Sequence, residues 1–263
     1  MQKRHQNKKA YFEEQIHTTR EYVIPFIEKF LPLNASCKVL EIGCGEGGNL
    51  IPFLDKKCRV TGVDISESKI SHAAVFLKTH PGAKNLTLLA KDIYDSSEDL
   101  GQDFDLIMMQ DVIEHIHDQD RFMGYAKRFL KPEGLFLLIF PPWYNPFGGH
   151  QQIGRHRILS KLPYFHLLPG WLYRFVLRTG GESEGTIAEL LEIKQTGLSI
   201  ERFRKIVKKH DYHIIQETLY FINPNYEIKF GLSPRKQSRF IATLPFIRNL
   251  FTTSVYYLIR KNQ

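Results

Sequence analysis

No run of about 18 consecutive apolar residues occurs in this chain, so nothing in it reads as a membrane-spanning helix. The opening stretch MQKRHQNKKAYFEE is basic but has no apolar segment behind it, and no secretory signal is read there. Cysteine is scarce: the three, Cys37, Cys44 and Cys58, fit neither a disulfide framework nor a zinc spacing. Reduced thiols and a cytoplasmic location are therefore expected. Acidic residues are few in the C-terminal quarter, where residues 200–263 carry 12 basic and 4 acidic side chains. Residues 37–140 carry 12 basic and 16 acidic ones, so the formal charge of +8 sits mainly at the C-terminal end. Such a patch could face nucleic acid, an anionic membrane or a phosphorylated substrate, or be a solvated lysine-rich face.

What is present is enough for one large domain, or one domain carrying insertions, at 263 residues and 43% hydrophobic composition. The stretch KVLEIGCGEGGNL (38–50) reads as a buried strand, then a Gly-x-Gly-x-Gly turn at Gly43, Gly45 and Gly47, then a short helix. In a strand–glycine turn–helix unit the backbone approaches a ligand closely and a helix N-terminus points at it. CRVTGVDIS supplies a second strand ending in Asp64, 21 residues beyond Gly43. That is close to the spacing of about 20 for a carboxylate that accepts hydrogen bonds from a ribose diol.

The alternation continues. SKISHAAVFLKTH reads as a helix, NLTLLAKDI as a strand ending at Asp92, and FDLIMMQDVIEHI as a strand running into Gln110 and Asp111. DRFMGYAKRFLK reads as a helix stopped by Pro132 and Gly134, with the strand LFLLIF after it. Glu41, Asp64, Asp92 and Asp111 then stand at successive strand C-termini, the edge where open α/β sheets bind ligands.

VLEIGCGEG, VTGVDIS, AKDI and FDLIMMQDVIEHI, in that order, resemble the successive motifs of class I S-adenosylmethionine-dependent methyltransferases. The resemblance covers residues 37–140. It implies a Rossmann-like α/β fold, a seven-stranded mixed sheet with helices on both faces, whose last strand is an antiparallel edge. It also implies that S-adenosyl-L-methionine is the cofactor. The Gly43–Gly47 loop with Glu41 and Cys44 would lie by its methionine part, Asp64 and Ile65 by the ribose, Asp92 and Ile93 by the adenine, and Gln110 and Asp111 beside the sulfonium. Gly45-Glu46-Gly47 places a carboxylate where a dinucleotide's pyrophosphate would sit, which disfavours a nicotinamide cofactor. Cys44 is then a small residue of a nucleoside loop, not a nucleophile.

Around this core, residues 1–36 are expected to form a helical cap, with an apolar stripe at 16, 23, 24, 26, 27, 30 and 31. Residues 141–198 are too long and too rich in aromatics, prolines and histidines for a simple connection, and read as a substrate lid. Residues 199–263 return to the core with a basic insertion at 223–251. Within the lid, 162–178 reads as packed on the core or as a dimer contact, its prolines breaking any long helix, or, alternatively, as an interfacial segment touching a membrane.

The leading function is methyl transfer to a small-molecule acceptor, to oxygen before nitrogen, with a lipid-linked or glycan precursor in view. A nucleic-acid methyltransferase is the alternative, although no Asn-Pro-Pro-Tyr type loop follows the fourth strand. A non-catalytic cofactor-binding module is the third. The sequence assigns no oligomeric state. His115 and His150, on loops after core strands, are candidate general bases, and Tyr144 is a third catalytic candidate. Asp111-x-x-Glu114-His115 is similar to the Glu-x-x-Glu-His motif of small-RNA 3′-end 2′-O-methyltransferases, whose glutamates and histidines hold magnesium. Here Asp111 stands first, similar turns occur in this class without metal, and no metal is assigned from the sequence.

Overall fold

Short apolar and β-branched runs form the strands β1 (Lys38–Ile42), β2 (Arg59–Asp64), β3 (Leu86–Ala90), β4 (Phe104–Gln110), β5 (Leu130–Phe140), β6 (Tyr212–Ile222), β7 (Arg235–Lys236) and β8 (Ser254–Lys261). The structure, a computed structural model, describes residues 8–262. The first half of the basic N-terminal stretch, with the start of the expected cap, lies outside the described residues. All the strands join one sheet in the order β3-β2-β1-β4-β5-β8-β6-β7. β1 to β5 pair in parallel, and β8 is antiparallel to both β5 and β6. Strand order reverses between β1 and β4, which opens a crevice beyond their C-terminal ends.

Two expectations need correction. The last strand is antiparallel but is not an edge; it lies between β5 and β6. Val255 to Ile259 are all fully buried, so this run is apolar on both faces and belongs inside a sheet. There are also eight strands. The two-residue β7, from the basic insertion, pairs with Tyr220 and Ile222 of β6 and forms that edge, with Arg235 and Lys236 exposed as edge charges that discourage further pairing.

Alternation along β4 fills a core on each face of the sheet. Ile107 and Met109 join one with Phe122, Phe140 and Phe203, while Leu106 and Met108 join the other with Val23, Ile27 and Phe53. The helices are α1 (Lys8–Thr18), α2 (Ile24–Ile27), α3 (Ile51–Asp55), α4 (Glu67–Leu77), α5 (Gln119–Ala126), α6 (Gly170–Thr179), α7 (Glu184–Thr196) and α8 (Ile200–Lys209), followed by α9 (Tyr226–Phe230), α10 (Arg239–Thr243) and α11 (Ile247–Leu250). α8 shows how the pattern works: Ser199 caps its start by accepting from the Arg202 N–H, and Ile200, Phe203, Ile206 and Val207 are buried as one stripe.

Residues 141–198 do not simply cover the sheet. Phe165, Tyr173, Leu177, Ile187 and Leu190 form a small core of their own between α6 and α7. Gln119 ties this unit to the main body, its amide donating to the carbonyls of Thr196 (2.6 Å) and Ile113 (3.2 Å). Pro169 directly precedes α6, so the helix starts there and cannot extend backward through 162–169.

Candidate functional site

The glycine turn is built by backbone geometry. Gly43, Gly45 and Gly47 all adopt positive φ (76°, 55° and 81°), which side chains rarely tolerate. At Gly43 a Cβ would also lie 2.5 Å from Val112 Cγ2. The turn folds onto β2, with the Gly43 and Cys44 N–H groups both donating to the Val63 carbonyl. Asp64 then accepts from the Gly45 N–H (2.9 Å) through one oxygen and from the Ser66 N–H (2.9 Å) through the other. The carboxylate is thus fixed at the strand end with lone pairs to spare.

A cavity of about 750 Å³ opens in front of this turn. It is lined by Gly43, Gly45, Asp64, Ile65, Asp92, Ile93, Gln110, Asp111 and His115, together with Tyr94, Arg121 and Lys69. Asp92 caps a short turn by accepting from the Tyr94 N–H (2.9 Å). This holds the Tyr94 ring against Tyr125, with Arg121 on its face. Gln110 is buried, and its side-chain oxygen has no donor among the described residues, which leaves an acceptor for a ligand.

Glu41, Cys44 and Gly47, expected among the cofactor residues, do not line this cavity. Glu41 is buried behind the turn, where it accepts from Asn49 (2.8 Å); Asn49 in turn accepts from Thr19 (2.8 Å). Burial and the negative charge of Asp64 push the Glu41 carboxyl up to about 8, against the opposing Asn49 hydrogen bond. Thr19 begins a π-helical turn, Thr19–Val23, between α1 and α2. The extra residue in that turn shifts the stripe read from the sequence and buries Thr19 with Val23. Cys44 is buried, and burial with the charges of Glu41 and Asp64 holds its thiol far above the usual range, so it is no nucleophile.

At the far end of the cavity stands the turn after β4. Asp111 takes a left-handed conformation (φ 54°), a strained choice for a side-chain-bearing residue. Ile113–His115 form one 3₁₀ turn. Glu114 is 4% exposed, and neither carboxylate oxygen finds a donor among the described residues. Burial and the nearby Asp111 charge push its carboxyl well above the usual range. Burial and Lys69 pull the His115 imidazole down.

His150 arrives from the lid. Its ring meets His115 edge-on, with centroids 5.0 Å apart at 73°. The sequence WYNPFGGHQQ makes this possible. Asn145 donates to the Pro142 carbonyl and accepts from the Phe147 N–H. Gly148 passes so close to Trp143 that a Cβ would lie 2.2 Å from its carbonyl oxygen, and at Gly149 a Cβ would lie 2.1 Å from His166 Cβ. His166, fully buried, is itself held to the Trp143 carbonyl (2.8 Å). His150 then turns left-handed (φ 54°) and heads the Gln151–Ile153 turn, and Gln151 bonds the Pro146 and Leu162 carbonyls.

A second cavity, about 280 Å³, is lined by Asp111, Glu114, His115 and His150 with Asn145, Asn223, Tyr226 and Lys229. It shares Tyr11, Asp111 and His115 with the first. A third, about 580 Å³, continues from it past Phe147, Gln152, Tyr226 and Lys229 to Arg155, Arg157 and Lys161. Tyr144, the third catalytic candidate, is half exposed and lines none of these three. Sequence reasoning missed Tyr11, Lys69, Asn223, Tyr226 and Lys229. Only the NPNY run at 223–226, turn-forming residues with an aromatic, could have hinted at a site.

A family model described as a methyltransferase domain matches residues 15–168. The ubiquinone biosynthesis O-methyltransferase of Bartonella tribocorum is 31% identical over 127 residues, 48% of this chain and 50% of that protein. The chain thus spans about half the length of such relatives. Among solved structures, a putative sarcosine dimethylglycine methyltransferase from Galdieria sulphuraria superposes with a TM-score of 0.60 at 16% identity, over 93% of this chain and 85% of that one. Phosphoethanolamine N-methyltransferase 2 of Haemonchus contortus, in complex with S-adenosyl-L-methionine, does so at 0.58 and 17% identity, over 97% and 57%. At these identities the structural matches speak for the fold.

Proposed function

We propose an activity for this chain, which belongs to the methyltransferase-domain family: transfer of the methyl group of S-adenosylmethionine to a hydroxyl of a small acceptor. The observation that carries this is the junction of the first two cavities at Asp111 and His115. A nucleoside held by Asp64 and Asp92 in the first cavity would present its sulfonium at that junction, and an acceptor in the second would meet the methyl there. The acceptor oxygen attacks the methyl carbon, the carbon–sulfur bond breaks with its electrons going to sulfur, and the hydroxyl proton passes to the His115 or His150 imidazole, both of which line the second cavity. The cofactor supplies the electrophile; the protein's part is alignment, with His115 and His150 holding the hydroxyl against the methyl. Two imidazoles and a carboxylate suit a hydroxyl acceptor, whose proton must leave as its oxygen attacks. The O-methyltransferase named among the relatives supports the same preference.

The acceptor is proposed to carry an anionic group beside an apolar part, as a lipid-linked or glycan phosphate precursor would. Arg155, Arg157, Lys161 and Lys229 lie around the third cavity with Phe147, Phe230 and Leu232, a pairing of cations and apolar surface that suits such a molecule. The test compares neutral and phosphate-bearing phenols or alcohols as acceptors with labelled S-adenosylmethionine. Arg155→Ala with Arg157→Ala should raise KM at least tenfold for the phosphate-bearing set and leave kcat within about threefold. Equal use of both sets by wild type would overturn the anionic-acceptor assignment. Transfer to amines and never to hydroxyls would overturn O-methylation.

A further inference from the structure

Resting on the anionic, part-apolar acceptor proposed above, we infer that the C-terminal insertion, with the lid edge beside it, is a docking surface for a phospholipid bilayer rich in anionic headgroups, which presents the acceptor to the third cavity. From 228 to 263 the chain has seven basic residues and no acidic one. Arg248 and Arg260 are engaged by Glu201 and Glu133, whereas Arg235, Lys236 and Arg239 are exposed. Large apolar side chains stand in water among these cations. Phe240 and Phe246 are 73% and 70% exposed, and Ile247 and Phe251 are more than two-fifths exposed.

The insertion is built to hold these rings outward. Phe246 takes φ 64° and ψ −49°, an outlier for a bulky residue. The Glu201 carboxylate fixes that knuckle, accepting from the Phe246 N–H (3.0 Å), Arg248 Nε (3.0 Å) and Asn249 Nδ2 (2.6 Å). Strain kept where it exposes an aromatic ring, and buries nothing, points to a use for the exposed ring. Hydrogen bonds gather the pieces into one corner of the molecule. Arg248 Nη1 donates to the Ala242 carbonyl (3.2 Å), joining α11 to α10, and Gln237 Nε2, just after β7, donates to the Phe251 carbonyl (2.7 Å). The Tyr164 hydroxyl donates to the Leu250 carbonyl (2.9 Å). That bond brings up the lid edge, with exposed Ile158 and Leu162 and the Arg155, Arg157 and Lys161 cations of the third cavity.

A bilayer matches both features at once. Anionic headgroups attract the cations, while phenyl rings and aliphatic tips enter the boundary between headgroups and acyl chains. Nucleic acid would use the cations and stack on the rings, but would leave Ile158, Leu162 and Ile247 in water. An acceptor anchored in the leaflet would reach the third cavity by its polar end without leaving the lipid.

The test uses the full chain and vesicles of phosphatidylcholine, alone or mixed equally with phosphatidylglycerol, with binding read by co-sedimentation. Wild type should bind the mixed vesicles at least about tenfold more tightly than the neutral ones, and less tightly as salt rises. Arg235→Glu, Lys236→Glu and Arg239→Glu together should weaken that binding at least about 100-fold, and Phe240→Ser with Phe246→Ser at least about tenfold. None of these five residues lines the three cavities. Methylation of a short-chain, water-soluble acceptor should therefore stay within about threefold in both variants, which with circular dichroism shows that they are folded. Methylation of the same group on a long-chain lipid carried in mixed vesicles should fall at least about tenfold in both. No vesicle binding, equal binding to neutral and mixed vesicles, or undiminished binding in either variant would overturn the docking surface. So would single-stranded RNA bound more tightly than the mixed vesicles. In each of those cases, methylation of the soluble acceptor would keep the methyl-transfer reading. Vesicle binding as expected, with neither acceptor methylated by wild type, would instead overturn that reading and keep the surface.

Discussion

Replacing Glu41 by glutamine should stabilise the chain at alkaline pH and nearly leave it unchanged at acidic pH. The carboxyl is buried behind the glycine turn, with one oxygen taking the Asn49 hydrogen bond and the other without a donor. Desolvation, reinforced by Asp64, moves its ionisation from an ordinary 4.5 to about 8. The folded state thus holds its proton where the unfolded chain has lost it. Stability is then fully present below about pH 4.5 and is lost as pH rises to about 8. At about 1.4 kcal/mol per pH unit the full loss is about 5 kcal/mol, of which about 4 falls between pH 5 and 8.5. Glutamine keeps the acceptor that Asn49 needs, and its N–H takes the place of the acid O–H, so the two proteins resemble each other where Glu41 is protonated. Urea unfolding of the ligand-free wild type and Glu41→Gln at several pH values from 5 to 8.5 measures the difference directly. The variant should gain about 4 kcal/mol on wild type across that range. A difference constant to within about 1 kcal/mol would refute the picture of a desolvated, proton-holding Glu41.

Two other substitutions address the cavity itself. Asp64→Ala should weaken S-adenosylmethionine binding by about 1.5–3 kcal/mol through loss of charge-assisted contacts to the ribose diol, and it also frees the Gly45 N–H that Asp64 now holds; unchanged affinity in calorimetry would remove Asp64 from the ribose site. Gly149→Ala should force a shift, because the new Cβ would stand 2.1 Å from His166 Cβ. Stability should fall by about 1–3 kcal/mol and methyl transfer by at least tenfold as His150 moves, with cofactor affinity within a few fold, and full activity would show that His150 has no part in the transfer.

The sequence alone determined the glycine turn and the carboxylates that line the first cavity, because the signals there are local. A positive-φ turn needs glycine at Gly43, Gly45 and Gly47, and a parallel strand needs an unbroken apolar run. The strand-end carboxylates Asp64, Asp92 and Asp111 follow from where those runs stop. Glu41 misled for the same reason: alternation puts it at a strand end, but only packing against Asn49 and Thr19 shows it facing away from the cavity. The second cavity, the proposed acceptor chamber, was set by contacts distant in sequence. Tyr11, His115, His150, Tyr226 and Lys229 line one chamber although they come from the N-terminal helix, the turn after β4, the lid and the C-terminal insertion. Tyr144 and His150 share one loop, and which of them faces inward depends on Gly148 and Gly149 packing against Trp143 and His166. β8 runs inside the sheet because both its faces are covered, a burial settled only when the helices close on it.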